Sequence, residues 1–246
     1  STRAGSSVAA LAGKYLKKSI LELGGTDAFA ILKDADLKDA LNNAFTSRLK
    51  NGGQVCIAAK RIFIPKDEIN AAVTILTKKI NELVLGNPLD KTTNIGPIAK
   101  DEFLPILQQQ VEDFVTNGAK LIVGGKIAAP FYPPTLLVVN PENPVLQEEV
   151  FGPVLCLIPY EEENTLIDQI NNTDYGLGAA VWSKDIEKAT TMASLIQAGH
   201  VAINSVVVSD PKLPFGGVKN SGYGKELGEE GFKSFLNAKT VVIKTK

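Results

Sequence analysis

The stretch NGGQVCIAAKRIFIP, residues 51–65, joins a glycine-rich loop to a short apolar strand. Two glycines and a glutamine lead to Cys56, whereas a buried structural cysteine usually lies inside an apolar run. Glycines let a backbone approach a substrate and present an amide N–H to a developing oxyanion. The pattern therefore favours a cysteine nucleophile. Lys60 and Arg61 either add positive potential that favours a thiolate or form a solvated entry to the strand.

The composition is that of a globular protein, with 44% hydrophobic and 22% charged residues among 246. A formal net charge of -1 without a basic cluster argues against nucleic acid as the main partner. Charges, glycines and prolines break the apolar stretches well before ~20 residues, so we expect no membrane span. We also expect no signal peptide and a cytoplasmic location, where Cys56 and Cys156 stay reduced. One histidine, His200, and no Cys-x-x-Cys pair argue against a metal site.

Extended and helical patterns alternate along the chain. Strand-like segments lie at 19–25, 27–32, 61–65, 120–125, 135–140, 154–160, 179–183, 200–204 and 240–244. Apolar residues recur at helical spacing over 37–49, 69–83, 104–114 and 186–196. The alternation predicts an α/β fold with a mostly parallel sheet and helices on both faces.

Several local features complete this pattern. Asp34 and Ser183 precede helical segments and are predicted N-caps. The opening residues resemble the start of a helix with Ala9, Ala10 and Leu11 on its buried side. Because the chain starts abruptly and without methionine, we expect it to be a piece of a longer protein.

A carboxylate stands near the end of the first strand-like segment, at Glu22 in LELGG. Partial desolvation there would raise its pKa towards the range of a general base, although an exposed strand-end glutamate is the simpler interpretation of this residue alone. Joined to Cys56 it forms a coherent pair for attack on a carbonyl. Cys156, inside PVLCLIP, has the profile of a buried and inert cysteine.

Four motifs follow one another along the chain: LELGG (21–25), NGGQVC (51–56), EVFGPV (149–154) and LPFGGVKNSGYGKELG (213–228). Together and in this order they resemble the aldehyde dehydrogenase superfamily. Within it, GQVCIAAKR (53–61) and YPPTLLVV (132–139) look most like the succinate-semialdehyde dehydrogenase branch. The resemblance implies that the fold is the catalytic domain of that superfamily.

The resemblance also implies roles for single residues. Cys56 would attack an aldehyde to give a thiohemiacetal and then a thioester, and Glu22 would activate the water that hydrolyses it. The cofactor would be NAD or NADP, not covalently bound. Its expected contacts are Glu149 at the ribose, Phe151 beside the nicotinamide, the backbone of Leu23 and Gly24 at the carboxamide, and Ser1 at the start of a helix that meets the pyrophosphate.

The aldehyde is expected in a tunnel beside the nucleophile. Val55 and Ile57 would line this tunnel, and Phe215 with the loop 205–213 would close it. Lys212 and Ser205 are the candidates for holding the carboxylate of a short substrate such as succinate semialdehyde, because a buried carboxylate needs an opposite charge or several donors. A solvated loop lysine is the alternative interpretation of Lys212.

By the same resemblance, residues 1–21 would be a remnant of the dinucleotide-binding domain and 22–220 the catalytic domain. Residues 221–246 would form a C-terminal segment whose strand, 240–244, reaches a neighbouring subunit of a dimer or tetramer. We expect such a piece alone to be an inactive or weakly active dehydrogenase.

Other functions stay open at this point. An acyl-CoA-forming semialdehyde dehydrogenase would share Cys56 but would not need Glu22 as a base, and a glutamyl-phosphate reductase would share the fold. A cysteine hydrolase normally needs a histidine partner, and His200 lies in a predicted strand. A domain that only packs and oligomerises is the non-enzymatic alternative.

Overall fold

The structure, a computed structural model that describes residues 1–245, is built on a central β-sheet. The strands are β1 (Leu21–Glu22), β2 (Ala28–Ile31), β3 (Arg61–Pro65), β4 (Lys120–Val123), β5 (Thr135–Val138), β6 (Val154–Tyr160), β7 (Tyr175–Gly176), β8 (Gly178–Trp182), β9 (His200–Ile203), β10 (Val218–Lys219) and β11 (Gly222–Tyr223). Seven of them form the sheet, in the order β4-β5-β6-β3-β2-β8-β9. All neighbours in it are parallel except the edge pair β4-β5, so the predicted mostly parallel sheet is confirmed.

Helices cover both faces of the sheet, as predicted. They are α1 (Thr2–Lys14), α2 (Leu37–Leu49), α3 (Ile69–Asn81), α4 (Phe103–Thr116), α5 (Glu163–Asn171), α6 (Ile186–Leu195) and α7 (Gly228–Ser234), with short 3-10 turns at Lys50–Gly53, Lys66–Glu68 and Pro144–Gln147. Helices α2 and α3 bury their apolar sides in one hydrophobic cluster, and α4, α5 and α6 bury theirs in the other.

Strand β3 shows why the chain forms this layered core. Ile62 and Ile64 belong to the cluster under α2 and α3, whereas Phe63 belongs to the opposite one. Successive strand residues face opposite sides of a sheet, so a strand that is covered on both faces needs an unbroken apolar run. RIFIP supplies that run, and Cys156 of β6 is buried in the same way.

Two predicted strands differ from the structure, and helix α5 was missed. The segment 19–25 contributes only β1, which pairs with β11 outside the main sheet. Residues 240–244 form no strand within the described chain, and Val242 and Ile243 there are exposed. A strand needs a hydrogen-bonded neighbour, and these residues have none here. Helix α5 was not predicted, because only Leu166 and Ile170 of its residues are buried and the periodic signal is short.

The helix termini also differ from the predictions. The N-caps are Asp36 and Asp185, whose carboxylates accept from main-chain N–H groups three residues on. The predicted caps instead bond to each other, since the Ser183 hydroxyl donates to Asp34. Residues 9–11 of α1 are not buried, and Leu11 is exposed, because only Gly5 of this helix packs closely on the rest of the described chain.

Candidate active site

The loop before β3 carries Cys56 and packs directly on another stretch of backbone. Asn51, Gly52 and Gly53 all have positive φ angles, of 52°, 62° and 76°. A Cβ atom at Gly53 would lie 2.2 Å from the carbonyl oxygen of Gly152. Only glycine fits this position, because it lacks Cβ and tolerates positive φ. The loop of Cys56 and the segment around Gly152 are therefore in contact through their main chains.

Arg48, near the end of α2, makes hydrogen bonds to both of these segments. Its side chain is fully buried. The guanidinium donates to the carbonyl oxygens of Val154 (2.6 Å), Val150 (2.8 Å) and Gly53 (3.4 Å). Burial lowers the pKa of Arg48 to about 10, so the group stays charged at neutral pH. One cation thus holds the cysteine loop against the segment that contains Phe151.

Glu149 reaches the glycines that follow β1. A Cβ atom at Gly24 would lie 2.1 Å from Oε2 of Glu149, so the carboxylate lies against the bare main chain. The Gly25 N–H donates to Oε1 at 3.1 Å, and Lys60 Nζ lies 3.5 Å from the same oxygen. The structure therefore brings Glu149 together with the residues next to Glu22, and their shared role stays a prediction.

Glu22 is half-buried at the end of β1, and its carboxylate lies against Gly216. A Cβ atom at Gly216 would be 2.7 Å from Glu22 Oε1. Burial raises the pKa of Glu22, and the carboxylate of Glu226 adds to this rise. The Gly217 N–H and the Lys225 side chain partly oppose it. A carboxyl with a raised pKa is suited to take up a proton near neutral pH.

Cys56 is partly exposed and packs in a small apolar cluster. Ile57 and Leu227 lie with it against a buried group that includes Phe215. Burial raises the pKa of the Cys56 thiol, while the Lys60 ammonium and the Ile57 N–H lower it. Desolvation is the largest of these effects, so the Lys60 ammonium offsets it only in part.

The other cysteine, Cys156, lies in surroundings that make a thiol unreactive. Cys156 is 3% exposed in the middle of β6. Burial raises the pKa of its thiol to about 12, despite the nearby Arg48 cation. A thiol in this setting stays protonated and out of reach of reagents.

A cavity of about 550 Å³ opens beside the nucleophile loop. Val55 and Ile57 line it, and Lys50 is the cation among its lining residues. Val206, Val207 and Val208 form another wall. Ser205 and Lys212 are exposed and lie outside that lining, and their predicted contact with substrate stays a prediction.

The remaining predicted cofactor residues are Phe151 and Ser1. Phe151 is 42% exposed and lines a cavity of about 100 Å³ together with Glu149 and α4. Ser1 caps α1, whose Gly5 packs against the Leu23 side chain. Their predicted contacts with a dinucleotide stay predictions.

The sequence left the burial of two cations open and did not identify Asp27, Lys50 and Ser221 as residues of the site. Lys60 and Arg61 are each 4% exposed, so the solvated alternative for these cations is wrong. Asp27 is 3% exposed, and its main-chain carbonyl accepts from the N–H groups of both cations. Ser221 is fully buried and donates to the Gly24 carbonyl. The signal for Asp27 was its charge at the start of the apolar segment 27–32, whereas Lys50 and Ser221 carried no signal.

A metal centre and a thiol activated by histidine are two other roles that a cysteine can have. Within residues 1–245, no group of three or more His, Cys, Asp or Glu side chains is arranged to hold a metal ion. No hydrogen bond joins His200 to Cys56 among the described residues, and burial lowers the pKa of His200. Each described helix is too short or too polar to cross a bilayer.

The sequence profile of the aldehyde dehydrogenase family matches residues 1–241. The chain belongs to the aldehyde dehydrogenase family. Succinate-semialdehyde dehydrogenase [NADP(+)] of Mycolicibacterium paratuberculosis is 42% identical over 244 residues, which are 98% of this chain and 52% of that protein. The chain thus spans about half the length of the curated relatives it matches.

Solved structures give the same result. Succinic semialdehyde dehydrogenase from Streptococcus pyogenes, in complex with NADP+, superposes with a TM-score of 0.95 at 39% identity, over 100% of this chain and 55% of that one. The NAD+ complex of aldehyde dehydrogenase from Bacillus cereus superposes with a TM-score of 0.96 at 33% identity, over 100% and 51%. The predicted fold is confirmed by both.

The two thiols should differ sharply in reactivity. We expect limiting iodoacetamide to label Cys56 of the folded chain and to spare Cys156, because Cys56 is partly exposed whereas Cys156 is buried and burial raises the pKa of its thiol to about 12. Peptide mass mapping of the labelled chain measures the ratio. The urea-unfolded chain is the control, in which both should label equally; preferential labelling of Cys156 in the folded chain would contradict the assignment.

Proposed function

We propose that this chain carries the cysteine site of an enzyme that oxidises an aldehyde to the carboxylic acid with NAD or NADP. The observation that carries this proposal is the meeting of three segments, those of Cys56, Glu22 and Glu149, around the close approach at Gly24. Membership of the aldehyde dehydrogenase family supports the same reaction. A carboxylate of raised pKa also favours release of the free acid over transfer of the thioester to CoA.

The residues present fit a nicotinamide cofactor. Glu149 Oε1 accepts from the Gly25 N–H, while no described donor lies within hydrogen-bond distance of Oε2. An open carboxylate oxygen is suited to accept from ribose hydroxyls. Phe151 is exposed next to it, and a flat ring there can pack on a nicotinamide. In this proposal Glu149, Phe151 and the backbone of Leu23 and Gly24 hold the nicotinamide end, and Ser1 approaches the pyrophosphate.

The proposed reaction begins at Cys56 and ends with hydrolysis assisted by Glu22. The Cys56 thiol first gives up its proton to water, and the thiolate then bonds to the carbonyl carbon of the aldehyde, whose oxygen takes up the negative charge. A bound NAD or NADP would supply the hydride acceptor for that carbon, which would then remain on Cys56 as a thioester. Glu22 then takes a proton from a water molecule whose oxygen attacks the thioester carbon. The carbon–sulfur bond breaks, the acid is released and Cys56 returns as a thiolate.

In the full-length enzyme that carries this site, we expect Glu22→Gln to separate the two halves of this reaction. With saturating cofactor, the variant should show a burst of reduced nicotinamide near one equivalent, followed by turnover slower by about 100-fold or more, because general-base catalysis contributes on that scale. Stopped-flow absorbance measures both phases. Glu68→Gln, an exposed carboxylate on the far side of β3, is the control and should behave as wild type. Unchanged turnover in Glu22→Gln would show that another group activates the water.

The substrate proposal concerns a short aldehyde with a terminal carboxylate. Relatives at about 42% identity bear the name succinate-semialdehyde dehydrogenase. The cavity beside Cys56 supports an anionic substrate, because Lys50 contributes a cation to walls that are otherwise largely apolar. A carboxylate entering such a space needs a charged partner to offset its desolvation. Lys212 remains a second candidate cation, and it lies outside this lining.

We expect Lys50→Met to lower kcat/KM for succinate semialdehyde by about 10-fold or more, the scale of one charge-assisted hydrogen bond, with little effect on butyraldehyde. The two aldehydes differ chiefly by the carboxylate. Lys212→Met is the matched variant and should retain the preference for the acid. The opposite outcome, loss in Lys212→Met alone, would return the contact to the predicted loop. A wild type that handles both aldehydes alike would contradict the substrate proposal.

We also propose the division into residues 1–21, 22–220 and 221–246, and a homo-oligomer. Val241, Val242 and Ile243 are 72%, 86% and 81% exposed in the described chain, which supports an apolar strand that pairs with a second copy. A β-branched run of this kind gains little from water and much from a neighbouring sheet edge.

A further inference from the structure

A buried lysine lies directly beneath the proposed nucleophile. Lys60 Nζ donates to the main-chain carbonyls of Cys56 (2.6 Å) and Val55 (3.2 Å). It also lies 3.5 Å from Oε1 of Glu149. The side chain is 3% exposed, so this charge interacts through protein and not through bulk water. One ammonium thus joins the nucleophile loop to the carboxylate assigned to the cofactor.

A buried carboxylate stands on the other side of this lysine. Asp27 is 3% exposed, and its Oδ1 accepts from the Gly178 N–H at 3.1 Å. Its Oδ2 has no hydrogen-bond partner among the described residues. The Asp27 carbonyl also accepts from the main-chain N–H of Lys60 at 3.0 Å, so the two residues are adjacent across β2 and β3. A charge this buried needs a cation nearby to remain in the fold.

The charges that face Cys56 are few, and their signs oppose one another. Lys60 is the cation that lowers the pKa of the thiol, whereas the carboxylates of Asp27 and Glu149 raise it. Lys60 itself faces Asp27, Glu149, Arg48 and Cys56. Burial raises the pKa of Asp27 to about 6, so this carboxylate is mostly ionised at the pH where a thiol reacts. The thiol therefore experiences the difference between one buried cation and two carboxylates.

We propose that Lys60 is a positioning residue that holds the Cys56 loop through its carbonyls and favours the thiolate, and that Asp27 sets the strength of this effect by opposing it. The inference rests on the proposed function, since it concerns the reactivity of the same thiol. It assigns no contact with substrate to either residue. Lys60 acts through the main chain and the field at Cys56.

The test is the pH profile of Cys56 alkylation by iodoacetamide, in which the thiolate displaces iodide, measured by peptide mass on the folded chain. Lys60→Gln keeps hydrogen-bond donors and removes the charge, and should move the midpoint upward by about one pH unit, or about tenfold slower labelling below the midpoint. Asp27→Asn is nearly isosteric and should move the midpoint downward by about half a unit or more. Lys66→Gln and Asp67→Asn, exposed at the other end of β3, should leave it unchanged.

Opposite shifts in the two variants support the proposal, because loss of packing would not produce a change of sign. Unchanged midpoints, or shifts in the same direction, would overturn it. If Lys60→Gln fails to fold, Asp27→Asn decides alone: a lowered midpoint supports the proposal and an unchanged or raised one overturns it. The readout is thiol chemistry and not turnover. A chain that shows the opposite shifts but forms no thioester on Cys56 with an activated ester would therefore refute the proposed function and leave this inference standing.

Discussion

The site depends on the buried guanidinium of Arg48. It donates to the carbonyls of Gly53, Val150 and Val154, which belong to the cysteine loop and to the segment that leads into β6. Each of these carbonyls is removed from water, and an unmade hydrogen bond there costs about 1–3 kcal/mol. Lys60 adds a second link, from the carbonyls of Val55 and Cys56 to the carboxylate of Glu149. The distance between the proposed nucleophile and the proposed cofactor residues therefore depends on two buried cations, of which Arg48 makes the hydrogen bonds to both main chains.

Close backbone contacts complete what Arg48 begins. Gly53 lies on Gly152, and Gly24 lies on the carboxylate of Glu149, at separations that exclude any Cβ atom. This compactness has an electrostatic consequence. Burial raises the pKa of both Cys56 and Glu22, which suits a base and hinders a nucleophile. The Lys60 ammonium supplies the compensating field on the thiol. Packing and reactivity are thus two results of the same arrangement.

Local patterns in the sequence were sufficient for the main sheet. The apolar run of β3 and the spacing of Leu104, Leu107, Val111 and Phe114 in α4 predict their elements, because each is determined by burial of its own residues. Glycine-flanked Cys56 and strand-end Glu22 were likewise visible as a pair. Their proximity to Glu149 came only from family resemblance, since it depends on contacts between segments more than 90 residues apart.

Features set by distant partners escaped prediction. Asp34 looked like a helix cap, but it accepts from Ser183 and from the N–H groups of Lys184 and Asp185, across the sheet. Lys60 looked equally suited to solvent or to the site, because its burial depends on Asp27 and Glu149. The composition of residues 240–244 predicts a strand, yet these residues pair with no strand of the described chain.

The proposed roles of Cys56 as nucleophile and of Glu22 as the base for hydrolysis can be tested by one measurement that needs no cofactor. An activated ester such as p-nitrophenyl acetate offers the chain a carbonyl carbon and a good leaving group, so acyl transfer to the thiolate can be followed by intact mass and peptide mapping. We expect the acetyl group to appear on Cys56 and then to be lost by hydrolysis, and we expect it to accumulate on Cys56 when Glu22 is replaced by Gln. Acetylation confined to other residues, or equal hydrolysis with and without Glu22, would contradict it.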